Sequence, residues 1–270
     1  MVDKPLNLYG RASIPDTNLS SIYFPAGSES DRLRVPASND WSWNDDWTFE
    51  FFLYWDDSFV GWEKFVMFFS QVNEAGTAYF QIFKNAPDSA NAFQIAFKQT
   101  SSSAQTVTLG PIPMSTLAFY HSAIVKEGNE FRSYSNGVWT QTATNANDLP
   151  SLILIDLLIG NDESNLGRQL PGWLDEVRIS DTVRYTGEGI YSIPSARFTN
   201  DANTLLLLHG DGADGSTVFT DSSSYNRSLT DDGNVEIDTS IYTEFGTPLP
   251  INFYGSSGDL KPINIYDRDV

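Results

Sequence analysis

The chain has 270 residues, a formal net charge of −19 and no cysteine. Without thiols there is neither a disulfide frame nor a thiolate zinc site. The surplus of carboxylates argues against nucleic acid, since nothing would displace counterions from a phosphate backbone, and against adsorption to an anionic membrane.

A hydrophobic content of 40% with 14% aromatics is ample for the core of one large all-β domain. Met1-Val2-Asp3-Lys4-Pro5 has no apolar leader and no run reaches membrane-spanning length, so the expectation is synthesis in a cytoplasm with no membrane insertion.

Residues 1–20 read as an N-terminal arm. Within it, Lys4-Pro5-Leu6-Asn7-Leu8-Tyr9-Gly10-Arg11 sets a pattern of Pro, aliphatic, Asn, apolar, Tyr. That pattern returns in Pro250-Ile251-Asn252-Phe253-Tyr254-Gly255 and in Lys261-Pro262-Ile263-Asn264-Ile265-Tyr266-Asp267-Arg268. Each copy alternates like a short strand, with proline at the start where no ladder donor is needed. One reading makes them edge strands that wrap the body. The other makes them assembly strands, added to the sheet edge of a neighbouring copy through Leu6, Leu8 and Tyr9, Ile251, Phe253 and Tyr254, and Ile263, Ile265 and Tyr266.

The body starts at Ser21-Ile22-Tyr23-Phe24, followed by Leu33-Arg34-Val35-Pro36. In Trp47–Trp55 period-two alternation puts Trp47, Phe49, Phe51, Leu53 and Trp55 on one face and Thr48, Glu50, Phe52 and Tyr54 on the other. Aromatics on both faces predict a central strand covered on both sides. Further strands are expected at Lys64–Val72, Ala78–Phe83, Ala92–Gln99 and Thr106–Gly110, at the spacing of a β-sandwich. Phe119–Asn129 turns into Glu130–Trp139, which ends in Asn136-Gly137, a dipeptide suited to the two positive φ angles of a type I′ turn.

Leu152–Gly160 reads as a buried apolar strand broken only by Asp156, and Gly172–Ser180 as a half-buried one. Residues 21–203 are thus the sandwich and 204–245, opening with Thr204–His209, a hairpin segment that completes or flanks it. Closure on its own subunit is favoured, because a lone Leu205–Leu208 strand could not bury itself. Residues 246–270 form a C-terminal arm, and no helical periodicity appears.

Gly172-Trp173-Leu174-Asp175-Glu176-Val177-Arg178-Ile179-Ser180 resembles the strand G-x-[IL]-D-E-V-R-I-S of laminin-G-like, concanavalin A-like jelly rolls. With Arg184-Tyr185-Thr186 after it, it resembles the version common in bacteriophage virion proteins. The segments at Ser21–Pro36, Trp47–Trp55, Phe119–Gly137 and Thr204–Ser223 are similar to further motifs of that family. The resemblance implies an all-β antiparallel sandwich. It also implies a non-enzymatic virion structural protein, a head decoration or a tail or fibre component, located in the virion beside other virion proteins or its own copies and open to host-surface polysaccharide. The alternative is a glycan-binding adhesion module of a secreted or surface protein.

Hydrolysis by a glucanase-type jelly roll needs Glu-x-Asp-x-x-Glu on one strand. Glu236-Ile237-Asp238 is followed by Ile241 and Glu29-Ser30-Asp31 by Arg34, so the motif is absent. Asp175 and Glu176, as strand neighbours, are expected on opposite faces. No Gly-x-Ser-x-Gly elbow accompanies His121 or His209, which read as packed or capping residues. No cofactor is required, but calcium is the one cation the chain could hold. Its candidate ligands are Asn161, Asp162, Glu163 and Asp175, with Asp211, Asp214 and Asp221 as a second cluster. For glycan stacking the candidates are Trp41, Trp43 and Trp62, read as loop residues, with packing beneath a loop as the other outcome.

Overall fold

The computed structural model describes residues 19–28, 30–56, 65–85, 92–112, 118–163, 167–243 and 245. Trp62 and the nine residues named for the terminal arms lie outside the described residues.

Among the described residues every regular element is a strand: β1 (Ser21–Phe24), β2 (Arg32–Val35), β3 (Trp47–Trp55), β4 (Val66–Val72), β5 (Tyr79–Lys84), β6 (Ala92–Lys98), β7 (Gln105–Pro111), β8 (Tyr120–Glu127), β9 (Glu130–Ser135), β10 (Val138–Thr144), β11 (Leu157–Ile159), β12 (Gly172–Ser180), β13 (Thr204–Leu208), β14 (Thr230–Asp232) and β15 (Glu236–Asp238). One sheet has eight strands, in the order β10-β9-β8-β3-β12-β1-β15 with β13 also paired to β12. The other has seven, in the order β14-β2-β11-β4-β5-β6-β7. All pairings are antiparallel, and successive hairpins build β4–β7 and β8–β10. The expected turn is present, with Asn136 at φ 46° and Gly137 at φ 88°.

Alternation along β3 organises the interior. Trp47, Phe49, Phe51, Leu53 and Trp55 enter the core between the sheets. There Phe49 meets Phe69 with ring centroids 4.8 Å apart and Phe51 meets Phe68 at 5.6 Å. Each such ring contributes roughly 1.5–3 kcal/mol by leaving water. On the opposite side of β3, Phe52 packs with Phe119, Phe198 and Leu207, and with half-buried Tyr54, Trp173, Ile193, Ile241 and Phe245. The eight-stranded sheet is therefore covered on both faces.

The segment after β12 belongs to the same sandwich. β13 pairs with β12, β14 with β2 and β15 with β1. Ser21 Oγ donates to the Ile241 carbonyl at 2.5 Å, so the two ends of the described body lie side by side.

Two expectations need correction. Leu152–Gly160 is not one strand: only Leu157–Ile159 pairs. Ahead of it, Ile155 N closes a turn on Leu152 O at 2.9 Å, and Leu154 is 84% exposed. Asp156 ends the turn by accepting from Ala37 N and from Arg34.

Asp175 and Glu176 are also not on opposite faces. The register with β3 runs from Asp175↔Phe52 straight to Arg178↔Glu50. That bulge, with Glu176 at φ 49°, sends both carboxylates away from the core while Leu174 and Val177 stay in it.

Candidate functional site

The seven-stranded sheet turns one unbroken register row away from the core: Thr230, Arg34, Leu158, Ser70, Gln81, Ala96 and Thr106, each opposite the next. Seven strands make that row about 29 Å wide. Its middle is covered. Asp162 Oδ2 accepts from Gln81 Nε2 at 3.3 Å and from Arg168 Nη1 at 3.1 Å, over buried Ser70.

The row opens at the Arg34 end, in a pocket of about 460 Å³ between the β4–β5 turn and the turn before β11. Val72, Leu154, Ile155 and Leu158 supply apolar wall. Asn73, Glu74, Asp156 and Glu163 supply polar oxygens.

The wall is held rigidly from beneath. Gln71 Nε2 donates to Ile155 O at 2.6 Å, and its Oε1 accepts from Trp43 Nε1 at 2.7 Å. Leu152 N donates to Trp41 O at 3.0 Å. On the other side Arg34 meets three carboxylates: Asp156 at 3.2 Å, Asp232 at 2.7 Å, and Glu163. Partial burial works against the Arg34 charge, but those carboxylates outweigh it and hold the guanidinium firmly protonated. The pocket is preorganised: an apolar rim faces fixed acceptors.

A second pocket of about 490 Å³ is lined by Asn44, Asp45, Asp46, Lys126, Gly128, Asn129, Asn147, Asp148 and Asp181. It has no apolar wall, and the Lys126 ammonium is spent on Asn44 O at 2.6 Å and Asp45 O at 3.3 Å.

A family model of the laminin G type, described as the concanavalin A-like lectin/glucanases superfamily, matches residues 27–188. The chain belongs to the concanavalin A-like lectin/glucanases superfamily.

Among solved structures this superfamily member is similar to a candidate carbohydrate-binding protein from Bacteroides ovatus, with TM-score 0.55 and 15% identity over 87% of this chain and 62% of that one. Domains LG4–5 of the mouse laminin α1 chain overlap at TM-score 0.45 and 9% identity, over 80% and 56% of the two chains. The enzymatically active domain of bacteriophage CBA120 tailspike protein 2 overlaps at 0.38 and 13%, over 60% and 24%. No curated protein matches the chain.

The other candidate residues fall elsewhere in the superfamily fold. Trp41 and Trp43 are not stacking platforms. Both are fully buried, with ring centroids 5.7 Å apart, and Trp43 continues onto Phe80 at 4.8 Å. They lie outside long strands yet beneath the 152–155 turn, where apolar rings gain more from burial than from exposure.

Nor are the calcium candidates brought together. Asn161 Oδ1 accepts from Asp162 N, Asp162 serves Arg168, and Glu163 serves Arg34. Asp175 is in the other sheet, accepting from Thr243 N at 3.0 Å. In the second cluster Asp211 pairs with Arg197, Asp214 accepts from Thr239 N, and Asp221 accepts from Leu207 N. Among the described residues no three carboxylate or imidazole side chains converge as a metal ion would need.

The ionisable groups with a catalytic look are sealed in the outer cover of the eight-stranded sheet. Glu50, fully buried, accepts from Arg178 Nε at 2.7 Å and Tyr185 OH at 2.6 Å, with His121 Nε2 3.6 Å away. Burial alone would raise the Glu50 pKa, but His121 and Arg178 outweigh it and hold it below the ordinary value. Burial keeps His121 low despite Glu50. Glu176 likewise takes His209 Nδ1 at 2.6 Å, Arg197 Nε at 3.0 Å and Phe198 N at 2.6 Å. These networks tie segment 181–211 onto the sheet.

Proposed function

We propose that the chain is a non-catalytic carbohydrate-recognition module whose polysaccharide contact is the pocket between Arg34 and Leu154. Leu154 carries this reading. It is a large apolar side chain held 84% exposed on a hydrogen-bonded turn, facing a cluster of acceptors. Sugar rings present apolar C–H faces beside hydroxyl donors, and this wall and these acceptors complement both. Membership in a superfamily of lectins and glucanases supports the ligand class. In the pocket Asp156 and Glu163 are both paired with Arg34, and Glu50, Asp175 and Glu176 are buried in the other sheet, which supports recognition rather than hydrolysis.

Affinity electrophoresis through gels containing bacterial polysaccharides tests it. Retardation of the wild type, reduced about five- to tenfold in affinity by Leu154→Ser, without release of reducing sugar, is expected. Retardation unchanged by Leu154→Ser would place the contact elsewhere, and release of reducing sugar would make the protein an enzyme.

A second reading adds the setting, a bacteriophage virion that displays this module as a head decoration or as a tail or fibre component. The phage-type sequence around Gly172–Ser180 and Arg184–Thr186 supports it. The two ends of the described body, side by side at Ser21 and Ile241, add to this. Those ends lie on the eight-stranded sheet, while the pocket sits on the seven-stranded one. In this setting the repeated terminal segments pair with virion proteins or with copies of the same chain. Light scattering of the intact chain against one lacking residues 1–11 and 249–270 separates the settings: an oligomer that falls to monomer supports assembly arms, whereas two equal monomers favour a free adhesion module.

A further inference from the structure

The geometry points to an uncharged ligand: we infer that the Arg34 pocket selects neutral hexose polymers and refuses polyuronates and other anionic glycans. This deepens the carbohydrate reading and rests on it.

Arginine is the residue by which a protein reads a sugar carboxylate, through its paired N–H donors. Here three of the five N–H donors are already engaged. Arg34 Nη1 is on Asp156 at 3.2 Å, while Nη2 is shared between Asp232 at 2.7 Å and Glu163. Its neighbour Arg32 turns Nε to Asp232 at 3.0 Å. Among the described residues Arg34 is the one cation lining the pocket, against Glu74, Asp156 and Glu163, which leaves that lining at a net −2. An incoming carboxylate must compete with the protein's own three for this guanidinium and face them at close range. The net charge of −19 over the whole chain repels a polyanion before it arrives.

For a neutral sugar the same features are favourable. Carboxylates held by one guanidinium keep lone pairs free, and those accept hydroxyl donors. Val72, Leu154, Ile155 and Leu158 receive the C–H face. Because the turn carrying Leu154 and Ile155 is pinned through Gln71, little ordering remains for binding to pay.

The test uses the full chain and five defined polymers: dextran and galactomannan as neutral probes, alginate, polygalacturonate and hyaluronan as acidic ones. Affinities are measured at low and at physiological salt. The expected result is retention by a neutral polymer at least about tenfold tighter than by any acidic one, at both salt concentrations. Glu163→Gln, at a side chain 51% exposed, frees part of the Arg34 fork and should raise retention by the acidic polymers severalfold. Equal or tighter binding of an acidic polymer by the wild type overturns the inference while leaving carbohydrate recognition standing. Acidic binding unmoved by Glu163→Gln overturns the role given to Arg34. Binding of none of the five refutes the carbohydrate reading itself.

Discussion

Arg178 donates through Nε to Glu50 Oε1 at 2.7 Å, directly across the β3–β12 register. The pair joins the central strand to the strand that carries the family motif, in a layer where Glu50 has no access to water. Removing one partner of a buried pair strands the other charge. Arg178→Met is therefore expected to destabilise the fold by about 3–5 kcal/mol, read as a lowered midpoint in urea. A shift below about 1 kcal/mol would show that Tyr185, His121 and Arg184, whose Nε lies 3.6 Å from Glu50, suffice for Glu50.

Two buried carboxylates give the stability opposite pH dependences. Glu50 has a depressed pKa in the fold, so its contribution is present above the ordinary value of 4.5 and is lost as pH falls below it. Asp175 is pushed up to about 8, first by burial and then by Glu176 beside it. Its contribution is complete below the ordinary 3.8 and declines as pH rises toward 8. The decline can reach about 1.4 kcal/mol per pH unit for one proton. Asp175→Asn cannot ionise and should flatten the stability profile between those two pH values. Urea midpoints measured at unit pH intervals check this, and an unchanged slope would assign the dependence to other groups.

Gln71 joins Trp43 Nε1 to the carbonyls of Leu152 and Ile155 from inside the core. Gln71→Leu leaves one donor and two acceptors without that partner, at a cost of about 2–4 kcal/mol. It should also raise amide exchange in the 152–156 turn before the rest of the sandwich opens. Uniform exchange would mean the turn is held by other contacts.

What the sequence made legible follows from how residues are punctuated. The two-sided apolar pattern of β3 announced a strand covered on both faces, and Asn136-Gly137 announced its hairpin. Both signals are local. The bulge in β12 is not, since Asp175-Glu176 looks like ordinary alternation until the register with Phe52 and Glu50 is known. The turn within Leu152–Ile155 was hidden because its residues are apolar and its polar partner, Gln71, comes from a distant strand. Trp41 and Trp43 lie between strands as read, and of the two outcomes packing beneath a turn is the one found. A position between strands suggests exposure, but here the connection dives beneath the sheet edge into the core. The pocket residues Asn73, Glu74 and Leu154 carry no motif at all, and the motif-like Ser21–Pro36 segment assigns Arg34 no role. Only the exposed leucine marks them, and exposure is a property of the fold.

The central claim is that polysaccharide meets this protein at the Leu154 pocket rather than at its tryptophans. Hydrogen exchange of the full chain, with and without a saturating amount of whichever neutral polymer retains it most, tests this directly. The account predicts new protection at the β4–β5 turn around Asn73–Gly76 and at Leu154–Asp156, with Trp41–Trp43 unchanged. Protection confined to any other surface, the Asp45–Asp148 pocket included, would contradict it.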